Sequence, residues 1–204
     1  MRHKKAHSLP VRLTHWVNFF AMIGMVSSGW GIYNADPLFD NFSFPQKATL
    51  GEWLGGNIGW HLAIMWFLVA NGLLYLIWGF CSGHFKRDFL PVTPASICQD
   101  IRRAVTWRLP HKSGHYNAIQ KIMYIGVLLL GVLMVLSGLS MWKPVQLSWL
   151  AKLMGGFDTA RYLHFFGMSG IVLFVVVHVF MVIMVPKTLP AMITGGKKEG
   201  DTDA

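Results

Sequence analysis

The sequence predicts an all-α integral membrane protein, a four-transmembrane-helix bundle with both termini in the cytoplasm. Three observations predict it. The 204-residue chain is 53% hydrophobic and only 13% charged, a membrane composition. Its apolar residues gather into four runs, at about 11–33, 58–80, 122–141 and 162–185, each of 20 to 24 residues and long enough to cross about 30 Å of hydrocarbon. Its basic residues gather in the gaps between those runs.

In lipid a backbone must satisfy its own hydrogen bonds, so each run is read as a helix. The first run is too long, and too rich in Trp and Phe, for a cleaved signal peptide. It carries His15 and Asn18 and lacks a convincing cleavage site, so it is read as a mature helix. Residues 1–12 hold four Lys/Arg, residues 81–121 hold seven, and the tail after Val185 holds three. The two remaining loops hold only Lys47, Lys143, Lys152 and Arg161. The positive-inside rule then places both termini and the central loop in the cytoplasm, as in a multi-pass protein of a bacterial inner membrane. The net charge of +9 is distributed to meet anionic lipid head groups of the bilayer, and no nucleic-acid partner is expected.

Between the spans, the first outer loop (34–57) is rich in Phe39, Phe42, Phe44 and Trp53, with Trp60 just beyond it. It is either an interfacial aromatic belt or a docking surface for an external subunit. In the central loop, Thr93-Pro94 reads as an N-cap followed by proline at the first helical position. Ile97, Ile101, Val105, Arg102, Arg103 and Arg108 then suggest a short amphipathic helix over 95–107, ended by Pro110. The second outer loop (142–160) carries Trp142, Pro144, Trp149 and Gly155-Gly156. Residues 1–190 read as one domain and 191–204 as a polar, disordered tail. No internal repeat is evident.

Cys81 and Cys98 fall on the cytoplasmic side, where a disulfide is not expected. Absence of a C-x-x-C-H excludes covalent c-type haem, and two cysteines cannot ligate an iron–sulfur cluster.

The chemistry is carried by His15, His61, His164 and His178, all inside predicted spans. An ionisable side chain at membrane depth is a functional-site candidate by default. His164 and His178 lie 14 residues apart on one helix, close to four whole turns, so they share a face at an axial separation of about 21 Å. Topology puts His61 and His164 near the outer side, and His15 and His178 near the inner side. Two level-matched pairs suit two bis-histidine haems b. The alternatives are histidines that hydrogen-bond between helices, or a metal such as zinc, for which neither pair has a Cys, Asp or Glu inside the span. Gly24, Ser27, Ser28, Gly29 and Gly31 in the first helix, Gly126, Gly131 and Gly138 in the third, and Gly167 and Gly170 in the fourth leave room for porphyrin or for helix packing. Arg12, Arg161 and Lys187 flank the spans where they would meet propionates or snorkel to the interface.

His3, His7, His84, His111 and His115 lie in basic segments and are read as solvated. His115 begins a denser cluster. Asn117, Gln120, Lys121 and Tyr124 share one broad helical face at the inner end of the third span. They read either as a quinone site or as a capped helix start with an aromatic anchor.

Arg12-x-x-His15-Trp16, Trp60-His61, His115-x-Asn117-x-x-Gln120-Lys121-x-x-Tyr124, and His164 with His178 resemble the di-haem cytochrome b subunits of membrane-bound respiratory oxidoreductases. That family includes the b-type cytochrome of Ni/Fe hydrogenases, the formate dehydrogenase gamma subunit and thiosulfate reductase cytochrome b. The resemblance covers nearly the whole chain. It implies the same cross-bundle pairing, quinone chemistry (menaquinone or ubiquinone) near Asn117 and Gln120, and a periplasmic catalytic or iron–sulfur subunit as partner. The chain is then an electron-transfer subunit rather than a complete enzyme. The competing reading is a stand-alone cytochrome b passing electrons between quinol and a small oxidant such as superoxide. A quinone reduced at the inner haem would take protons from the cytoplasm; the direction of electron flow stays open.

Overall fold

The computed structural model describes residues 7–105, 117–186 and 188–196. The described elements are helices: α1 (Leu9–Ala35), α2 (Leu54–Cys81), α3 (Pro94–Val105), α4 (Ala118–Trp142), α5 (Ser148–Leu153), α6 (Phe157–Met184) and α7 (Thr188–Thr194), with a 3₁₀ turn at Gln46–Ala48 and a π turn at Phe85–Phe89. The chain divides into two units, one of Leu9–Trp78 and one of Gly79–Ala204 with Met1–Ser8.

Among the described residues three helices are long and apolar enough to cross a membrane: α2, α4 and α6. The 27-residue α1 has the length but not the mean hydropathy, because His15, Asn18, Ser27 and Ser28 interrupt its apolar run. Large side chains such as Phe20, Phe67, Leu74, Leu129, Leu173 and Ile183 stand exposed along the helices. Such continuous apolar surface needs lipid or a partner to cover it.

In the first unit, polar side chains tie α1 to α2. Asn71 of α2 is buried and donates to the Thr14 carbonyl at 2.9 Å and to Asn18 Oδ1 at 2.7 Å. Interhelical hydrogen bonds of this kind are worth roughly 0.6 kcal/mol each in lipid. The connecting loop folds back on the end of α1. Asn34 donates to the Phe44 carbonyl (2.9 Å) and accepts from its N–H (2.8 Å), and the Phe44 ring stacks on Trp30 at 4.6 Å. Phe39, Phe42, Trp53 and Trp60 remain exposed.

In the second unit, α4 and α6 pack along their length. Gly167 and Gly170 of α6 meet Met134 and Leu130 of α4, so these two glycines serve helix packing. The turn before α6 needs glycine, since Gly155 and Gly156 have φ of +80° and +92°. At the other end of α4, α3 is the short helix expected from Thr93-Pro94. The Thr93 hydroxyl accepts from Ser96 N–H at 3.2 Å and the Ser96 hydroxyl from Thr93 N–H at 3.1 Å. Its expected stop at Pro110 lies outside the described residues. α7 takes in residues 191–194, so the polar tail begins later than its composition suggests: Ala191, Met192 and Ile193 are helix formers or apolar, and only then come Gly195-Gly196.

Candidate cofactor site

α6 is unbroken from Phe157 to Met184, so the spacing of His164 and His178 is a true axial distance of about 21 Å. His178 stacks on Phe174 one turn before it, with ring centroids 5.8 Å apart and planes 14° apart. His15 lies in the second turn of α1, edge-on to Trp16 at 5.3 Å, on the stretch of α1 that Asn71 holds.

His61 and His164 are held differently. His61 Nδ1 lies 3.0 Å from Ser28 Oγ of α1, and His164 Nδ1 lies 2.9 Å from Ser137 Oγ of α4. Both serines are fully buried. The residue after each serine is glycine, and a Cβ there would touch the imidazole: Gly29 at 3.5 Å from His61 Cε1, Gly138 at 3.3 Å from His164 Cε1. Sequence reasoning counted Ser28, Gly29 and Gly138 only as small residues and missed Ser137. The signal was present: Met25-Val26-x-Ser28-Gly29 recurs as Met134-Val135-x-Ser137-Gly138, a short echo in a chain read as having no repeat.

The other glycines divide. Gly24 and Gly31 face Ile64 and Asn57 of α2, while Gly126 and Gly131 have no neighbour within 4 Å of a built Cβ. Arg12 and Arg161 are half-buried, each three residues before a histidine, and so on the same helical face as His15 and His164 respectively. Lys187 and His115 lie outside the described residues.

At the start of α4, Asn117 and Gln120 form a reciprocal capping box. Asn117 Oδ1 accepts from Gln120 N–H at 2.8 Å and Gln120 Oε1 accepts from Asn117 N–H at 3.1 Å. The box uses the two amide oxygens and leaves the amide nitrogens as the donors a ligand carbonyl would meet. Lys121 Nζ reaches the Pro91 carbonyl at 3.4 Å, and the Tyr124 ring stacks on Phe89 at 5.9 Å.

His84 is not solvated, as its basic surroundings suggested. It is buried, donates from Nδ1 to Asp88 Oδ2 at 2.7 Å, and packs against Phe85 and Phe89. Burial lowers its pKa below the ordinary 6.5, although Asp88 pulls the other way. A π turn places Asp88 one turn beyond His84, a contact that charge counting cannot foresee.

Among the described residues no group of three or more His, Cys, Asp or Glu could hold a metal ion. The donors available are imidazoles on α1, α2 and α6, and imidazole is the axial ligand that haem iron takes in pairs. Ring nitrogens already tethered through Nδ1 fit that demand, because ligation through Nε2 then leaves no N–H orphaned in an apolar setting.

Residues 6–195 match the family described as prokaryotic cytochrome b561. A putative protein-methionine-sulfoxide reductase subunit YedZ1 from Azospira oryzae is 46% identical over 91% of this chain and 93% of its own length. A probable Ni/Fe-hydrogenase B-type cytochrome subunit from Cupriavidus necator is 27% identical over 87% of this chain and 78% of its own. The formate dehydrogenase cytochrome b556(fdo) subunit of Escherichia coli K12 is 23% identical over 93% and 83%.

Proposed function

Because the chain belongs to the prokaryotic cytochrome b561 family, we propose that this membrane b-type cytochrome carries electrons across the bilayer through two haems b. His61 and His164 would hold the outer haem, and His15 and His178 the inner one. α1 is the fourth span despite its polar residues, and both termini face the cytoplasm. Arg12 and Arg161 each sit one turn toward the nearer membrane surface from a ligand, where a guanidinium would meet a propionate. The bound haems supply the one-electron chemistry; the chain supplies ligands, orientation and exclusion of water.

Quinol is oxidised at the inner side, beside the amide groups of Asn117 and Gln120, with Lys121 and Tyr124 on the same helical face. The electrons leave at the periplasmic side to a catalytic subunit. The Azospira relative bears the name of a methionine-sulfoxide reductase subunit, which supports a partner that reduces methionine sulfoxide. The balance closes. Quinol going to quinone releases two electrons and two protons, and a sulfoxide going to thioether and water takes up two of each.

The observation that carries the reading is the pair of serine-tethered histidines, each at the end of a hairpin of long helices. The test is haem stoichiometry of the purified full chain by pyridine haemochrome, with a redox titration. Two haems b are expected per chain. His61→Ala should lose one haem and His178→Ala the other. A single haem in the native chain, or removal of the same haem by both variants, overturns the ligand assignment.

A further inference from the structure

Ser28 and Ser137 hold their histidines by the same chemistry in two separate helix pairs. A serine hydroxyl carries one proton and two lone pairs. The Ser28 hydroxyl lies 2.6 Å from the Gly24 carbonyl, one turn back on its own helix, and donates to it. Its proton is thereby committed, so the contact with His61 Nδ1 at 3.0 Å requires the imidazole to donate. Ser137 repeats the pattern. Its hydroxyl donates to the Leu133 carbonyl at 2.7 Å and accepts from His164 Nδ1 at 2.9 Å. In both cases the proton resides on Nδ1, and a neutral ring then keeps its lone pair on Nε2.

We propose that Ser28 and Ser137 are matched positioning residues, which fix the Nδ1–H tautomer and ring plane of His61 and His164 and so tune the potential of the iron those rings ligate. This rests on the ligand assignment above. A neutral imidazole with no acceptor for Nδ1–H in an apolar site would move its proton to Nε2 or turn its ring, and either loses the ligand. With the acceptor in place, Nδ1–H donation raises the basicity of Nε2. A more basic ligand favours the ferric state, so the two serines hold the outer potential down. Neither serine is exposed, and low local dielectric strengthens both bonds. The glycine after each serine leaves room for the ring beside the helix, since a Cβ there would stand 3.5 Å from His61 Cε1 and 3.3 Å from His164 Cε1.

The experiment uses the full chain in native membranes with Ser28→Ala, Ser137→Ala and the double variant. Ser140→Ala is the control: Ser140 is as deeply buried in α4 but its hydroxyl bonds the Ser137 carbonyl. The outer haem is identified as the one missing from His61→Ala. Each Ser→Ala variant should raise its midpoint potential, by up to about tenfold in the ferric-to-ferrous ratio at fixed poise, which is about 59 mV for one electron. The double variant should move it further, and the low-temperature EPR signal of the ferric outer haem should shift as the ring planes relax. Loss of the outer haem alone, with the inner haem retained, also supports the proposal. The inner haem and Ser140→Ala should match the native protein. Wild-type potential and EPR in the double variant, or equal shifts in Ser140→Ala, overturn it. If His61→Ala removes no haem, the ligand assignment itself falls, and that result is separate from any behaviour of the serines.

Discussion

Removing the Asp100 carboxylate should release α3 from α4, and the size of the effect can be worked from its contacts. Asp100 is buried on α3, and its Oδ2 accepts from the Ala118 N–H at 2.7 Å. Ala118 is the first residue of α4, so this N–H is one of the donors that a helix start leaves without an intrahelical partner. A hydrogen bond to a charged group contributes about 1.5–3 kcal/mol. A carboxylate at a helix N-terminus adds about 0.3–1 kcal/mol. Asp100 also faces Arg103 at 3.7 Å, but that guanidinium is largely exposed, and such pairs contribute under about 1 kcal/mol. Asp100→Ala should therefore cost about 2–3 kcal/mol locally and Arg103→Ala less than 1. At 1.4 kcal/mol per tenfold, hydrogen exchange across α3 and the first turn of α4 should rise about 30- to 150-fold in Asp100→Ala. The assay is exchange mass spectrometry on the full chain in lipid nanodiscs. If Asp100→Ala and Arg103→Ala raise exchange equally, the carboxylate-to-helix bond is not what docks α3.

Three further outcomes follow from single contacts. Gly138→Ala places a Cβ 3.3 Å from His164 Cε1, tighter than most Cβ contacts, whereas Gly29→Ala gives an ordinary 3.5 Å contact with His61; the first should perturb the outer haem spectrum and the second should not, and the reverse order would refute the ring placement. Asn117→Ser keeps a capping hydroxyl but removes the amide nitrogen, so the helix start should hold while quinol-dependent haem reduction slows; unchanged reduction with intact haem would remove Asn117 from the quinone site. His84 has its pKa lowered from 6.5 by burial, so the folded chain keeps it neutral where the unfolded chain protonates it, and its segment should lose stability as pH falls through 6.5 and below. Exchange at residues 84–89, corrected for intrinsic rate, should rise between pH 7.5 and 5.5, and His84→Gln should flatten that dependence.

Composition and run length made the long helices legible. The readings 58–80, 122–141 and 162–185 fall within or close to Leu54–Cys81, Ala118–Trp142 and Phe157–Met184. The helices run a few residues longer because hydropathy marks the lipid-facing part, while backbone hydrogen bonding continues past it. Thr93-Pro94 gave α3 because a cap is a local matter of two or three residues. The tethers left only the echo of Met25-Val26-x-Ser28-Gly29 in Met134-Val135-x-Ser137-Gly138, which does not say what the serines bond. A serine in an apolar run reads as a small residue, and only the fold shows that its lone pair meets a ring 33 residues away in one case and 27 in the other. His84 was misjudged for a related reason: its partner is set by a π turn rather than by the net charge of its loop.

Each tether also has a simple geometric origin within its own helix pair. In an antiparallel helix hairpin, two residues equally far from the connection lie at the same depth. Ser28 is seven residues before the end of α1 and His61 seven after the start of α2, or about 10 Å from the connection on each side. Ser137 is five residues before the end of α4, and His164 seven after the start of α6. Each serine–histidine bond is therefore a property of its own hairpin. It forms without reference to the other helix pair and measures depth from that pair's own connection. Each hairpin therefore sets the depth of its own imidazole from its own connection, before any cofactor arrives. Lengthening either connecting loop should leave the bonds intact. Inserting one residue between Asn18 and Ser28 should break the first, because Asn71 holds α1 at Thr14 and Asn18 and a 100° rotation carries the hydroxyl off the histidine-facing side.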